Sequence, residues 1–147
     1  FGAGHSEVIK RKSDGKFFLV EAAGRGGGFM LSDLLVPLAS DYNLNEACIV
    51  QAMGLNPREI NKVKKNTVAL RFIPSKKGRI KSLKGFDQGD QIANVETGSF
   101  IQVGDLTKSA AVDNDRLGFI AAKANSISEV FSLVNQIEKN IVVEYFD

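Results

Sequence analysis

Two acids and a base stand where one short hairpin would bring them together. Glu7 lies in an alternating segment, and Glu21 follows it by fourteen residues at the end of the apolar run that starts at Phe17. Arg25 comes four residues later, inside Gly24-Arg25-Gly26-Gly27-Gly28. Carboxylates are hard oxygen donors, and magnesium is commonly held by one or two of them with phosphate oxygens and water completing its shell. Arginine adds a permanent charge in a fork that suits phosphate or carboxylate oxygens. Consecutive glycines permit positive φ and let backbone N–H groups approach an anion. Taken singly, exposed acids on hairpins are ordinary solvated surface and glycine runs are ordinary loops. Their joint placement is what points to a metal-bound phosphate.

The hairpin is read from Lys12-Ser13-Asp14-Gly15-Lys16, where Asp-Gly favours a tight turn. A two-residue loop puts Glu7 opposite Ala22. A three-residue loop, with Gly15 left-handed, puts Lys12 opposite Lys16 and Glu7 opposite Glu21. With strand period two, Glu21, Ala23 and Arg25 then share a face with Glu7 and His5. Opposed residues have Cβ atoms roughly 4.5–5.5 Å apart and like charges there repel, a penalty that a bound cation removes. A short helix is expected from Phe29, its N-terminus reinforcing the anion site. His5, the only histidine, is expected to flank the metal.

These residues resemble a known family. His5-Ser6-Glu7, then Leu19-Val20-Glu21-Ala22-Ala23-Gly24-Arg25 and the glycines after it, look like the C-terminal half of an ATP-grasp ligase core. The resemblance implies that Glu7 and Glu21 hold magnesium (or manganese) against the phosphates of ATP, and that Arg25 is the arginine following the second acid by four residues. Ala23 stands where many members carry an amide metal ligand, a departure from the biotin-carboxylase type. The likeness is nearer to the branch of L-amino-acid ligases and carbamoyl-phosphate-synthase-like proteins. That branch implies an oxyanion held by a backbone N–H of the glycine run, matching Gly28 with Gly27 beside it. Val68-Ala-Leu-Arg-Phe72 resembles the strand that opens the C-terminal subdomain, and Asp115 to Val130 its closing strand and helix.

The function so implied is ATP-dependent activation of a small-molecule carboxylate as an acyl phosphate, then transfer to an amine or similar nucleophile. The upstream lobes that hold adenine and cover the triphosphate with a lysine and a glycine-rich flap are missing from this chain. Its first residue is Phe1, which fits a fragment, and the fragment alone is expected to be inactive. A rival reading is a non-catalytic assembly or anion-binding module derived from the same fold. The upstream gene sequence would separate the two.

The chain has 147 residues, 44% hydrophobic and 24% charged, enough for one or two small subdomains with a real core. A net charge of +2 gives no argument for a polyanion partner. The basic run Lys76-Lys77-Gly78-Arg79-Ile80-Lys81, with Lys62, Lys64 and Lys65, lacks interleaved aromatics and reads as a solvated hairpin tip rather than a nucleic-acid surface. A single cysteine excludes an internal disulfide framework and is compatible with a reducing compartment. The apolar runs are too short to span a bilayer and no leader is visible. A cytoplasmic protein, able to form a homo-oligomer, without nucleic-acid or membrane partners, is the expectation.

The fold class is α+β, with antiparallel strands and packed helices. Residues 1–66 read as the ATP-grasp part and 67–147 as a β-rich subdomain. Leu31, Leu34, Leu35 and Leu38 have helical spacing, with Pro37 ending or kinking the helix. A second helix starts near Asn43 or Asn45 and stops at Gly54, with Cys48 buried on its apolar stripe. Residues 56–66 read as a connection. Strands are expected at 68–73, 80–85, 92–95, 100–103 and 117–123. Ser126-Ile127-Ser128-Glu129 is a capping box opening an amphipathic helix to Asn140, and residues 141–145 form a last strand.

Overall fold

A computed structural model describes residues 2–57 and 66–146. The chain divides into two compact units, Phe1–Lys64 and Lys65–Asp147. All strand pairing is antiparallel, and the class is α+β as expected. Most of the expected connection at 56–66, and with it Lys62, Lys64 and Lys65, lies outside the described residues.

The first unit opens with a hairpin of β1 (His5–Lys10) and β2 (Phe17–Ala23). Next comes a π-helical stretch, Leu31–Leu35, running directly into α1 (Val36–Ser40). Pro37 neither ends nor breaks this segment. The wide turn absorbs it: Leu34 N–H and Leu35 N–H both donate to Met30 O, Val36 N–H donates to Leu31 O, and the proline falls in the first turn of α1. A missing N–H costs nothing there. Asn43 caps α2 (Leu44–Ala52), its Oδ1 accepting from Glu46 N–H at 3.0 Å. Gly54, with φ +76°, lies just beyond the end of α2. Contrary to expectation Cys48 is only half-buried, because α2 has no strongly apolar face and none of its residues is fully buried.

The second unit has two three-stranded sheets. One is ordered β3 (Thr67–Pro74), β7 (Arg116–Ala124), β5 (Val95–Ser99), and the other β6 (Leu106–Thr107), β4 (Gly78–Lys84), β8 (Val142–Tyr145). Helix α3 (Ile127–Asn140) buries Val130, Val134 and Ile137 in a core with Ile73, Ile80, Leu117, Ile120 and Ala122. Its cap forms as the sequence suggests, Ser126 Oγ accepting from Glu129 N–H, though Glu129 reaches back to the N–H of Asn125 rather than of Ser126. Arg71 ties β3 to the same helix by donating to Glu138 and to Asn135 Oδ1.

Three expectations fail here. Ile92 and Val95 anchor a turn, with Val95 N–H donating to Ile92 O and Asn94 left-handed at φ 65°, so the strand begins where that segment ends. Residues 100–103 are not a strand either, since Gln102–Asp105 turns the chain into the short β6. The basic run is no hairpin tip. β3 and β4 belong to different sheets, and Lys76 and Lys77 sit exposed on the crossing between them.

Because Ile137 is fully buried at the centre of this core, Ile137→Ala is expected to cost about 2–5 kcal/mol. Ile127→Ala, on the same helix but 68% exposed, should stay within about 0.5 kcal/mol. Native-state hydrogen exchange of the β7 amides measures both.

Candidate metal and phosphate site

The β1–β2 hairpin brings Glu7 and Glu21 opposite each other, with Ser6 facing Ala22 and His5 facing Ala23. The route differs from the one the turn residues suggest. Arg11 N–H donates to Lys16 O at 2.8 Å and Gly15 N–H to Arg11 O at 2.9 Å, closing a four-residue loop, Lys12 to Gly15, with Gly15 at φ +71°. Lys16 therefore faces Arg11 rather than Lys12. Continued unbroken, that register would set Glu7 against Val20. A bulge between Glu7 and Val8 leaves Val20 as the extra residue and restores the carboxylate pair. It also changes the facing side chains, since Ile9, on the face of Glu7, pairs with Phe18.

Asp14 locks the loop. Arg11 Nε donates to Asp14 Oδ1 at 2.9 Å, Arg11 Nη2 reaches Oδ2, and Lys16 N–H donates to Oδ1 at 3.2 Å. The guanidinium of Arg11 also lies over the Phe18 ring, 4.7 Å from its centroid. Hydrogen bonding from Arg11 first, and from the Lys16 amide, holds the Asp14 carboxyl below its ordinary range.

The acids themselves are open. Glu7 and Glu21 side chains are 56% and 53% exposed, and Arg25 Nη2 stands 3.8 Å from Glu21 Oε1. An exposed pair at that distance is weakly held. The other arm of the guanidinium, Nη1, donates to Gly26 O at 2.9 Å, folding Arg25 over its own loop. His5 Nε2 lies 3.1 Å from Glu7 Oε1. The two acids offer hard carboxylate oxygens on opposed strands, both open to solvent, which is the kind of donor that magnesium takes. Among the described residues no three His, Cys, Asp or Glu side chains converge on a common point, so phosphate and water would complete the shell.

The glycine run behaves differently from expectation. None of Gly24, Gly26, Gly27 and Gly28 has positive φ; the left-handed residues are Phe29 (φ 49°) and Met30 (φ 62°). Leu31 N–H closes that turn onto Gly28 O at 3.1 Å. Two consecutive non-glycine residues in this region cost about 1–2 kcal/mol each. The glycines instead provide room. A Cβ at Gly26 would lie 2.3 Å from Ser32 Oγ, and one at Gly27 2.9 Å from His5 Nδ1 and from Leu31 Cδ1, whereas Gly28 has nothing within 4 Å. Ser32 Oγ donates to Gly27 O at 2.7 Å and pins the run. The expected helix from Phe29 starts at Leu31 as a five-residue π-helical stretch, too short and too irregular for a strong dipole.

Two contributors are hidden in the sequence. Ser32 carries no motif and is found only by asking what holds Gly27. Cys48, Gln51 and Ala52 of α2 line an open groove of about 540 Å3 together with Gly24, Arg25 and Gly26, although the sequence suggests for Cys48 only a packing stripe.

No protein-family profile and no curated protein matches this chain. Solved structures do. Over 99% of its length the chain superposes on an L-amino acid ligase from Bacillus licheniformis (TM-score 0.80, 19% identity) and on a phosphoribosylglycinamide synthetase from Anaerococcus prevotii (TM-score 0.85, 20% identity). Over 98% it matches a biotin carboxylase from Campylobacter jejuni in complex with β,γ-ATP (TM-score 0.72, 16% identity). All are ATP-grasp enzymes. The chain has part of the ATP-grasp fold. It spans 36%, 37% and 32% of those three chains, about a third of the length of each.

The depressed Asp14 carboxyl sets a sign. Because its pKa is lowered on folding, the loop gains stability above the ordinary aspartate range and loses it as pH falls through the depressed value. Carbon-detected NMR should find Asp14 titrating below a free aspartate, and Arg11→Gln should move its midpoint upward.

Proposed function

We propose that this chain is part of an ATP- and magnesium-dependent ligase that activates a carboxylate as an acyl phosphate and passes the acyl group to an amine or similar nucleophile. The observation that carries the reading is the cross-strand pair Glu7–Glu21, with Arg25 beside the second acid and the open position of Gly28 beyond it. In this reading residues 1–66 are the C-terminal part of the ATP-grasp core and 67–147 a β-rich C-terminal subdomain.

Glu7 and Glu21 would hold magnesium, or manganese. When bound, the metal neutralises charge as the γ-phosphoryl group moves. A substrate carboxylate oxygen attacks the γ-phosphorus and ADP leaves. The amine then attacks the acyl carbon, phosphate departs, and the amine loses a proton. Arg25, once released from Gly26 O, offers its fork to the phosphoryl oxygens, and the Gly27 and Gly28 amides face the oxyanion that develops at the acyl carbon. Adenine recognition and the lid over the triphosphate fall to polypeptide outside these 147 residues.

The hairpin supports a larger assembly. Val8, Ile9, Phe17, Phe18, Leu19 and Val20 are all between 44% and 68% exposed. A two-stranded ribbon with both faces apolar and uncovered is marginal alone and suits a place inside a wider structure.

The test uses the complete protein, ADP release and a panel of carboxylates and amines. With any pair that supports turnover, Glu21→Gln should lower kcat/KM by roughly 10²-fold or more, since metal stabilisation of transition-state charge is worth several kcal/mol. Unchanged turnover at limiting magnesium would sink the ligase assignment and leave the non-catalytic module.

A further inference from the structure

On a hairpin whose strand side chains are mostly open, His5 and its partner Ala23 are the half-buried ones; the His5 side chain is 19% exposed against 56% for Glu7. It is enclosed from two sides. Nε2 lies 3.1 Å from Glu7 Oε1, and Nδ1 lies 2.9 Å from the point a Cβ on residue 27 would occupy. An ionised carboxylate accepts hydrogen bonds and cannot donate one. Nε2 is therefore the donor to Glu7, and Nδ1 is the nitrogen turned toward the Gly27 backbone. Gly27 is in turn fixed through its carbonyl by Ser32.

We propose that His5 is a positioning residue that couples the glycine run to the metal-facing carboxylate: its ring, seated on the bare Cα of Gly27, holds Glu7 in place opposite Glu21. The inference rests on the reading of Glu7 as a metal ligand. It adds a role for His5 and a second reason for glycine at 27, namely space for an imidazole rather than backbone freedom. A ligand drawing Gly27 toward itself would move the seat of His5 and, through it, Glu7. Outer-shell partners of this kind typically change metal affinity 10–100-fold when removed.

Because His5 is the only histidine in these 147 residues, its ring nitrogens give a single set of signals in long-range 1H–15N NMR. The Nε2-protonated tautomer is expected. Gly27→Ala should shift those signals, and Gly24→Ala, where a Cβ meets nothing within 4 Å, should not. Manganese alone is then titrated while broadening of the Ser6 and Ala22 amides is followed, their wild-type positions certifying the hairpin in each variant. His5→Ala should raise the manganese concentration for half-broadening by about 10-fold or more. His5→Gln, which keeps a donor near the Nε2 position, should recover most of that loss.

If Glu7→Gln abolishes the manganese response while His5→Ala leaves it intact, the positioning role is overturned and the metal site stands. If Glu7→Gln itself changes nothing, the metal reading fails first and takes the positioning role with it. Should Gly27→Ala disturb the hairpin, the two His5 variants still decide.

Discussion

One extra residue in a strand governs the candidate site. A four-residue loop closed by Arg11, Asp14 and Gly15 sets a register in which Glu7 would face Val20, and the bulge at Val20 shifts it back. Without the bulge the carboxylates would lie on opposite faces of the ribbon, because a one-residue slip reverses every side chain beyond it. The glycine run, His5 and Arg25 all take their positions from the far side of that irregularity. Bulges commonly re-aim side chains in this way, and here the result is two like charges held face to face.

The two units are built on different principles. In the second, β7 is the central strand of its sheet, packed beneath α3, and Leu117, Ile120, Ala121 and Ala122 are all buried. Its buried strands and capped helix make a scaffold that carries none of the candidate chemistry, although register shifts at Ile73/Pro74 and Ile80/Ser82 interrupt its ladders. The first unit holds that chemistry on exposed strands, a π-helical turn and a left-handed pair at Phe29–Met30. Deviations from regular geometry gather at sites more often than in cores, and those of the first unit lie at or beside the candidate site: the bulge after Glu7, the π-helical turn and the left-handed pair.

Local rules made much of this visible in advance. The Asn43 and Ser126 caps, the spacing of Val130, Val134 and Ile137, and the glycine after α2 depend on near neighbours, and each was legible. The Glu7–Glu21 pair was legible for an incomplete reason: a three-residue loop and a four-residue loop with a bulge end in the same pairing. Val20 gives no sign of it, since a β-branched residue suits a regular strand equally well. β5 was misplaced because Glu96-Thr97-Gly98-Ser99 has little strand character of its own and becomes a strand by pairing with β7. The glycine run offers positive φ by its type, yet none of its glycines adopts it, and the need for glycine at 26 and 27 comes from Ser32, His5 and Leu31. Contacts between residues distant in type and motif leave no periodic trace.

The hairpin pairs only with itself among the described residues, so each of its strands carries an outer row of amide and carbonyl groups directed to solvent. Such rows are templates: they accept whatever strand arrives, whether from the same polypeptide or from another copy. Apolar faces such as those of Val8, Ile9, Leu19 and Val20 strengthen that tendency. At high concentration the ribbon bearing the acids becomes a growth surface, and ionic conditions that bring a cation between Glu7 and Glu21 would lower the charge repulsion opposing it. The like charges of Glu7 and Glu21 thus also act as a gatekeeper against self-association.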